Sequence, residues 1–187
     1  MKDLEVLYKP DVIARRVSEL GREISRDFRG QTVDVVTVLD NAFVFAADLV
    51  RTLEVPVRIH FMRTEMQDVV DPNTGKDRKE IFFTPEVEAE GCNILLVEGV
   101  VHSGVTLDFL LRRISLHRPR VVKTVVCVDK PEERKVLLEP DYVAFSLASN
   151  QVVVGYGLAW NGLQGNLPYL ASPAGARKPA KKGKKKR

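Results

Sequence analysis

Four consecutive residues, Ser103-Gly104-Val105-Thr106, place two hydroxyls around a glycine, a spacing suited to holding a phosphate. A phosphate needs several donors converging from one side. Gly104 permits a turn that exposes backbone N–H groups, and Val105 contributes its own. Ser103 and Thr106 add hydroxyl donors. A helix starting near Val105 adds its N-terminal amides and the positive end of its dipole. The plainer alternative is a capped helix start with no ligand. Just upstream stand Glu98, a carboxylate, and His102, an imidazole that titrates near neutrality when unperturbed.

Positioning this turn requires a strand before it and a helix after it, and the pattern supplies both. Asn93-Ile94-Leu95-Leu96-Val97 is a continuous apolar run, the signature of a strand buried on both faces. Residues 105–117 repeat Leu107, Leu110, Leu111 and Ile114 on one helical side. Elsewhere, helices are predicted over 10–28 and 42–53. Strands are predicted over 33–39, 56–62, 81–83, 121–128, 141–145 and 152–156. Residues 63–79 read as a long polar excursion with a turn signal at Asp71-Pro72-Asn73-Thr74-Gly75. Alternation of strands and helices predicts an α/β fold with an open, mostly parallel twisted sheet flanked by helices. Ligands bind such sheets at the carboxyl ends of the strands.

Composition narrows the class. The 187 residues suit one domain, or one domain with a small appendage. No run approaches the ~20 apolar residues that span a bilayer, so no membrane contact is expected. The N-terminus lacks an apolar signal region. Cys92 and Cys127 fall in strand-like runs and read as small buried hydrophobes; a cytoplasmic setting follows. The formal charge of +4 misleads. Eight of the 29 basic residues lie in 177–187, which holds no acidic one. The preceding 176 residues therefore carry 21 bases against 25 acids, a net of −4. The tail offers a contact for nucleic acid or another polyanion; a solvated terminus is the plainer reading.

The run from Ile94 to Leu107 resembles the phosphoribosyl-pyrophosphate motif of type I phosphoribosyltransferases: four apolar residues, two acids, two apolar residues, Asp, Ser or Thr, Gly, any residue, Thr. Further landmarks resemble the hypoxanthine-guanine branch. They are Val128-Asp129-Lys130-Pro131-Glu132, Asp141-Tyr142-Val143-Ala144-Phe145, Val153-Val154-Gly155-Tyr156-Gly157-Leu158 and Asn166-Leu167-Pro168-Tyr169. The resemblance implies a domain over 1–172, with a small hood from the terminal segments, followed by a basic tail over 173–187. It implies that Ser103, Gly104, Val105 and Thr106 hold a 5′-phosphate, Glu98 a ribose hydroxyl and Lys130 the purine oxygen. Val152 takes the place of the aromatic that stacks on the purine. It also implies a dimer or tetramer.

Other positions depart from that pattern. Gly99 replaces the second acid, and His102 replaces the Asp that exchanges a proton near the purine; His102 is the candidate to keep that role. The pyrophosphate loop reads Leu39-Asp40-Asn41-Ala42 where the family has Leu-Lys-Gly and a small residue. A like-charge pair at ~4 Å and an effective dielectric near 20 costs about 4 kcal/mol. The lid stretch Arg63-Thr64-Glu65-Met66 lacks Ser-Tyr, Ala159 replaces a late Asp for magnesium, and a late Arg falls near Gly165. A catalytically degenerate homologue that binds a purine nucleotide or other phosphorylated ligand is expected, in a regulatory or assembly role. The alternative is an active purine-salvage enzyme with altered residues, which would use Mg²⁺. No protein metal site is expected otherwise.

Overall fold

A computed structural model describes residues 3–70, 77–84, 88–148 and 151–174. The elements run β1 (Leu4–Tyr8), α1 (Pro10–Asp27), β2 (Val33–Leu39), α2 (Phe43–Val50), β3 (Val57–Val70), β4 (Asp77–Thr84), β5 (Asn93–Val101), α3 (Val105–Ser115), β6 (Val121–Asp129), a single 3₁₀ turn (Pro131–Glu133), β7 (Tyr142–Ser146) and β8 (Leu170–Pro173). Six strands form one sheet in the order β4-β3-β2-β5-β6-β7. Five of them are parallel; β4 pairs antiparallel with β3 at the edge. This is the open α/β sheet that the alternation predicts.

β5 is apolar throughout because both of its faces are covered. Leu95 and Val97 pack with α1 and α2, while Ile94 and Leu96 pack with α3. Each such side chain, fully buried, stabilises by about 1.5–3 kcal/mol. α1 starts on Pro10, whose fixed φ fits a first helical turn, and buries Ile13, Val17, Leu20 and Ile24. At Gly21 it meets α2's end so closely that a Cβ would lie 2.1 Å from Thr52 Oγ1.

β1 and β8 join the two terminal segments in a separate antiparallel pair, the expected hood. Tyr8 of β1 stacks on Phe145 of β7 with ring centroids 4.0 Å apart, and Arg16 of α1 donates to the Val143 carbonyl at 2.8 Å.

Several expectations change. The polar excursion over 63–79 is largely strand: β3 continues to Val70 and returns as β4, pairing Arg63 with Thr84 and Val70 with Asp77. Backbone pairing stabilises this hairpin despite its polar sequence. The tip over 71–76 lies outside the described residues, as does the tail from 175 onward. α2 ends at Val50 and α3 at Ser115, both short of expectation. Residues 152–156 form no strand; Val154 makes only an isolated bridge to Ala171. Cys127 is buried but Cys92 is half-exposed; both are free thiols. No helix among the described residues is long and apolar enough to cross a membrane.

Candidate functional site

The sheet order reverses between β2 and β5. From β2 the chain moves outward to β3, whereas β5 leads the other way to β6 and β7. The carboxyl ends of β2 and β5 therefore diverge and leave a crevice between their loops, the usual ligand position. The candidate residues converge there: Asp40 and Asn41 after β2, Glu98 near the end of β5, His102 to Thr106 after β5, and Lys130 after β6.

β5 runs four residues further than expected, so Glu98 and Gly99 belong to the strand and the turn proper is His102-Ser103-Gly104. Gly104 sits at φ +77° as the N-cap of α3, a left-handed conformation that only glycine adopts without strain. Val105 N–H reaches Ser103 Oγ at 3.4 Å, and Asp108 N–H donates to the Gly104 carbonyl at 2.8 Å, starting the helix.

A segment with no sequence-stated role packs against this turn. After the 3₁₀ turn, Arg134 Nη1 donates to the His102 carbonyl at 2.8 Å, and Lys135 N–H donates to the Ser103 carbonyl at 2.9 Å. The other arm of the Arg134 guanidinium donates to Asp129. Glu133 Oε2 lies 3.7 Å from His102 Nδ1. A Cβ on Gly104 would come within 2.8 Å of Arg134 Cδ and 2.9 Å of Val136 Cγ2. The sequence signal available was a lone Arg shortly after a strand end that faces the crevice.

The β2 loop fills its own part of the crevice. The Leu39–Asp40 peptide is cis. The Asn41 main chain lies against Gly99: a Cβ there would meet Asn41 O at 2.7 Å and its carbonyl carbon at 2.8 Å. Gly157, at φ +92°, lies against the same carbonyl: a Cβ there would meet Asn41 O at 3.0 Å. The Asp40 carboxylate is paired in the absence of a ligand. Arg63 of β3 donates to both its oxygens, at 2.8 and 3.1 Å. A cavity of about 750 Å³ adjoins the loop, lined by Asp40, Asn41, Phe43, Asp48, Ala159 and Gly165 among others. No Lys, Arg or His is among its described lining residues.

Glu98 is half-buried, and burial pushes its carboxyl up to about 7 against one opposing contact, the Gly99 N–H at 3.1 Å. Magnesium, which turnover would require, is poorly served here. Burial raises the Glu98 carboxyl, the neighbouring position is glycine closed by Asn41, and the Ala159 side chain carries no ligand atom. No group of three or more His, Cys, Asp or Glu suited to a metal occurs among the described residues. Lys130 is fully buried and donates its Nζ to the Gln151 carbonyl. Lys130 and the half-buried Val152, placed together by the resemblance, are therefore close in space through Gln151. Trp160 is half-buried and bridges to Leu163.

At the opposite end of the sheet, a cavity of about 740 Å³ contains a different cluster. Asp34, 3% exposed, accepts from Arg58 at 2.7 and 2.8 Å and pairs with His60 Nε2 at 2.9 Å. These bonds, the Arg58 ones foremost, hold its carboxyl below the usual range against the cost of burial. His60 carried no expectation, and the internal pairing marks this cluster as structural.

The phosphoribosyl transferase domain family matches residues 5–160. The chain is 35% identical over 168 residues to the hypoxanthine-guanine phosphoribosyltransferase of Aquifex aeolicus, covering 89% of this chain and 93% of that protein. It is 32% identical over 166 residues to the bifunctional protein TilS/HprT of Listeria innocua, covering 89% of this chain but a quarter (25%) of that protein's length. A crystal structure of a Bacillus anthracis hypoxanthine-guanine phosphoribosyltransferase superposes with a TM-score of 0.78 at 35% identity, covering 92% of this chain and 98% of that one.

Proposed function

Because the chain belongs to the phosphoribosyl transferase family, we propose that it is a catalytically degenerate purine phosphoribosyltransferase homologue. In this reading it binds a purine nucleoside monophosphate or a related phosphorylated ligand, in a regulatory or assembly role. One observation carries the reading: the Asn41 main chain occupies the space that a second acidic side chain at position 99 would need. The absence of cations among the described lining residues of the adjoining cavity supports it. Phosphoribosyl transfer depends on metal and cationic stabilisation of departing pyrophosphate. A 5′-phosphate needs only the turn at Ser103 to Thr106 and the α3 N-terminus.

The reading assigns residues 1–172 to the binding domain and the basic run to an appendage. It includes a cytoplasmic setting and a homo-oligomer. Titration calorimetry with GMP and IMP tests it: binding of either supports it, and silence across both removes it. Turnover of hypoxanthine or guanine with phosphoribosyl pyrophosphate and Mg²⁺ would replace it by the active-enzyme reading. The His102–Glu133 approach at 3.7 Å is the observation in favour of that alternative, since it offers a proton-transfer group.

A further inference from the structure

We propose that Arg134 is the positioning residue of the phosphate cradle, fixing the direction of its amides without touching the anion; the proposal rests on the phosphate reading above. A trans peptide is planar, with N–H and C=O on opposite sides. Arg134 Nη1 holds the His102 carbonyl at 2.8 Å. The Ser103 N–H, in the same peptide, must then point away from Arg134. Lys135 N–H holds the Ser103 carbonyl at 2.9 Å, which in the same manner turns the Gly104 N–H away from the strap formed by Arg134, Lys135 and Val136. Two successive amides are thereby directed to the face left for a ligand.

The guanidinium suits this task because its donors form a rigid fork. One arm grips the turn and the other grips Asp129, whose side chain is 9% exposed, at the end of β6. Arg134 itself is 12% exposed and lies on the carbonyl side of the turn, which places it away from a bound anion. Its Cδ and Val136 cover the face of Gly104 where a Cβ would project. The strap therefore explains the glycine as well as the amide directions. It also ties the cradle to Asp129 and so to the neighbouring Lys130, the expected purine contact.

The test compares GMP with guanosine by calorimetry in the full-length protein and in Arg134→Gln and Arg134→Lys. It adds NMR order parameters of the Ser103 and Gly104 backbone amides without ligand. Both variants are expected to lose about tenfold in GMP affinity, to leave guanosine within twofold, and to lower the order parameters of those two amides. A collapsed site would weaken both ligands equally, and that result overturns the proposal. Full GMP binding by Arg134→Lys overturns it too, since charge alone would then suffice. If the wild-type protein binds no phosphorylated ligand, the phosphate reading fails. The order parameters still decide the positioning claim, which falls if Ser103 and Gly104 stay as ordered in the variants as in the wild type. Should Arg134→Gln fail to fold, Arg134→Lys alone carries the comparison.

Discussion

Replacing Gly99 with Ala tests whether the β2 loop closes the position of the missing acid, because the sign of the effect differs between the two cases. Gly99 has an ordinary negative-φ strand conformation. In open space, Gly→Ala there would stabilise by about 0.4–1 kcal/mol through the unfolded chain. The structure instead places the new Cβ 2.7 Å from Asn41 O, 2.8 Å from its carbonyl carbon and 3.0 Å from its Cβ. Two of these atoms are main chain, so no side-chain rotation relieves the contact. Overpacking of this kind costs about 1–3 kcal/mol. For a domain of this size, 1 kcal/mol moves Tm by about 2–4 °C. Scanning calorimetry should find Gly99→Ala melting about 2–12 °C below wild type, and Gly99→Asp at least as low. A Gly99→Ala protein that melts at or above wild type would refute the reasoning.

Glu98 gives a pH-dependent counterpart. Its carboxyl is raised to about 7 in the folded chain, chiefly by burial. The protonated form is favoured by folding, so its contribution is complete below the ordinary value of 4.5 and disappears as pH rises through about 7. Glu98→Gln should therefore gain on wild type by about 2 kcal/mol between pH 5 and pH 8, allowing for partial exposure, in denaturant titrations at the two pH values. Asp34 runs the other way. Its lowered carboxyl stabilises the fold above the ordinary value of 3.8 and loses that effect as pH falls through the lower folded value. Asp34→Asn should cost about 2 kcal/mol at pH 7, with the gap narrowing under acid conditions in the same assay. Deleting 177–187 removes eight basic residues, and any binding of a single-stranded DNA oligomer through the tail should vanish along with its salt dependence. Equal binding before and after excludes the tail from that role.

Much of the architecture was legible in the sequence because two kinds of pattern were strong. The apolar run through Val97 could only be a strand covered on both faces, and Ile13, Val17, Leu20 and Ile24 could only be one side of a helix. The hairpin of β3 and β4 was legible only at its base, as the strands predicted over 56–62 and 81–83. The stretch between is mostly polar and its order comes from backbone pairing, which hydrophobic period does not report. In the site, the turn at Ser103 was readable from local chemistry. The Arg63 contact with Asp40 was not, since 22 residues of chain separate them and the strand register brings them together. Arg134 was missed for a related reason. It acts on main-chain carbonyls, which leave no trace in side-chain spacing. The crowding at Gly99 was visible as a substitution but not as a closed space, because the occupying atoms are Asn41's backbone.

The pairing of β1 with β8 has a consequence for how the molecule is made. Leu4 faces Pro173, and Ala174 N–H donates to the Asp3 carbonyl at 2.7 Å. β1 therefore has no strand partner until nearly the whole described chain has followed it. Contacts this distant in sequence close late, since the entropy of so large a loop must be overcome first. The central sheet contains no contribution from β1 or β8, so it can assemble without them. A nascent chain would then complete its central sheet at β7 before β8 emerges to meet β1, so the terminal pair is the last to close.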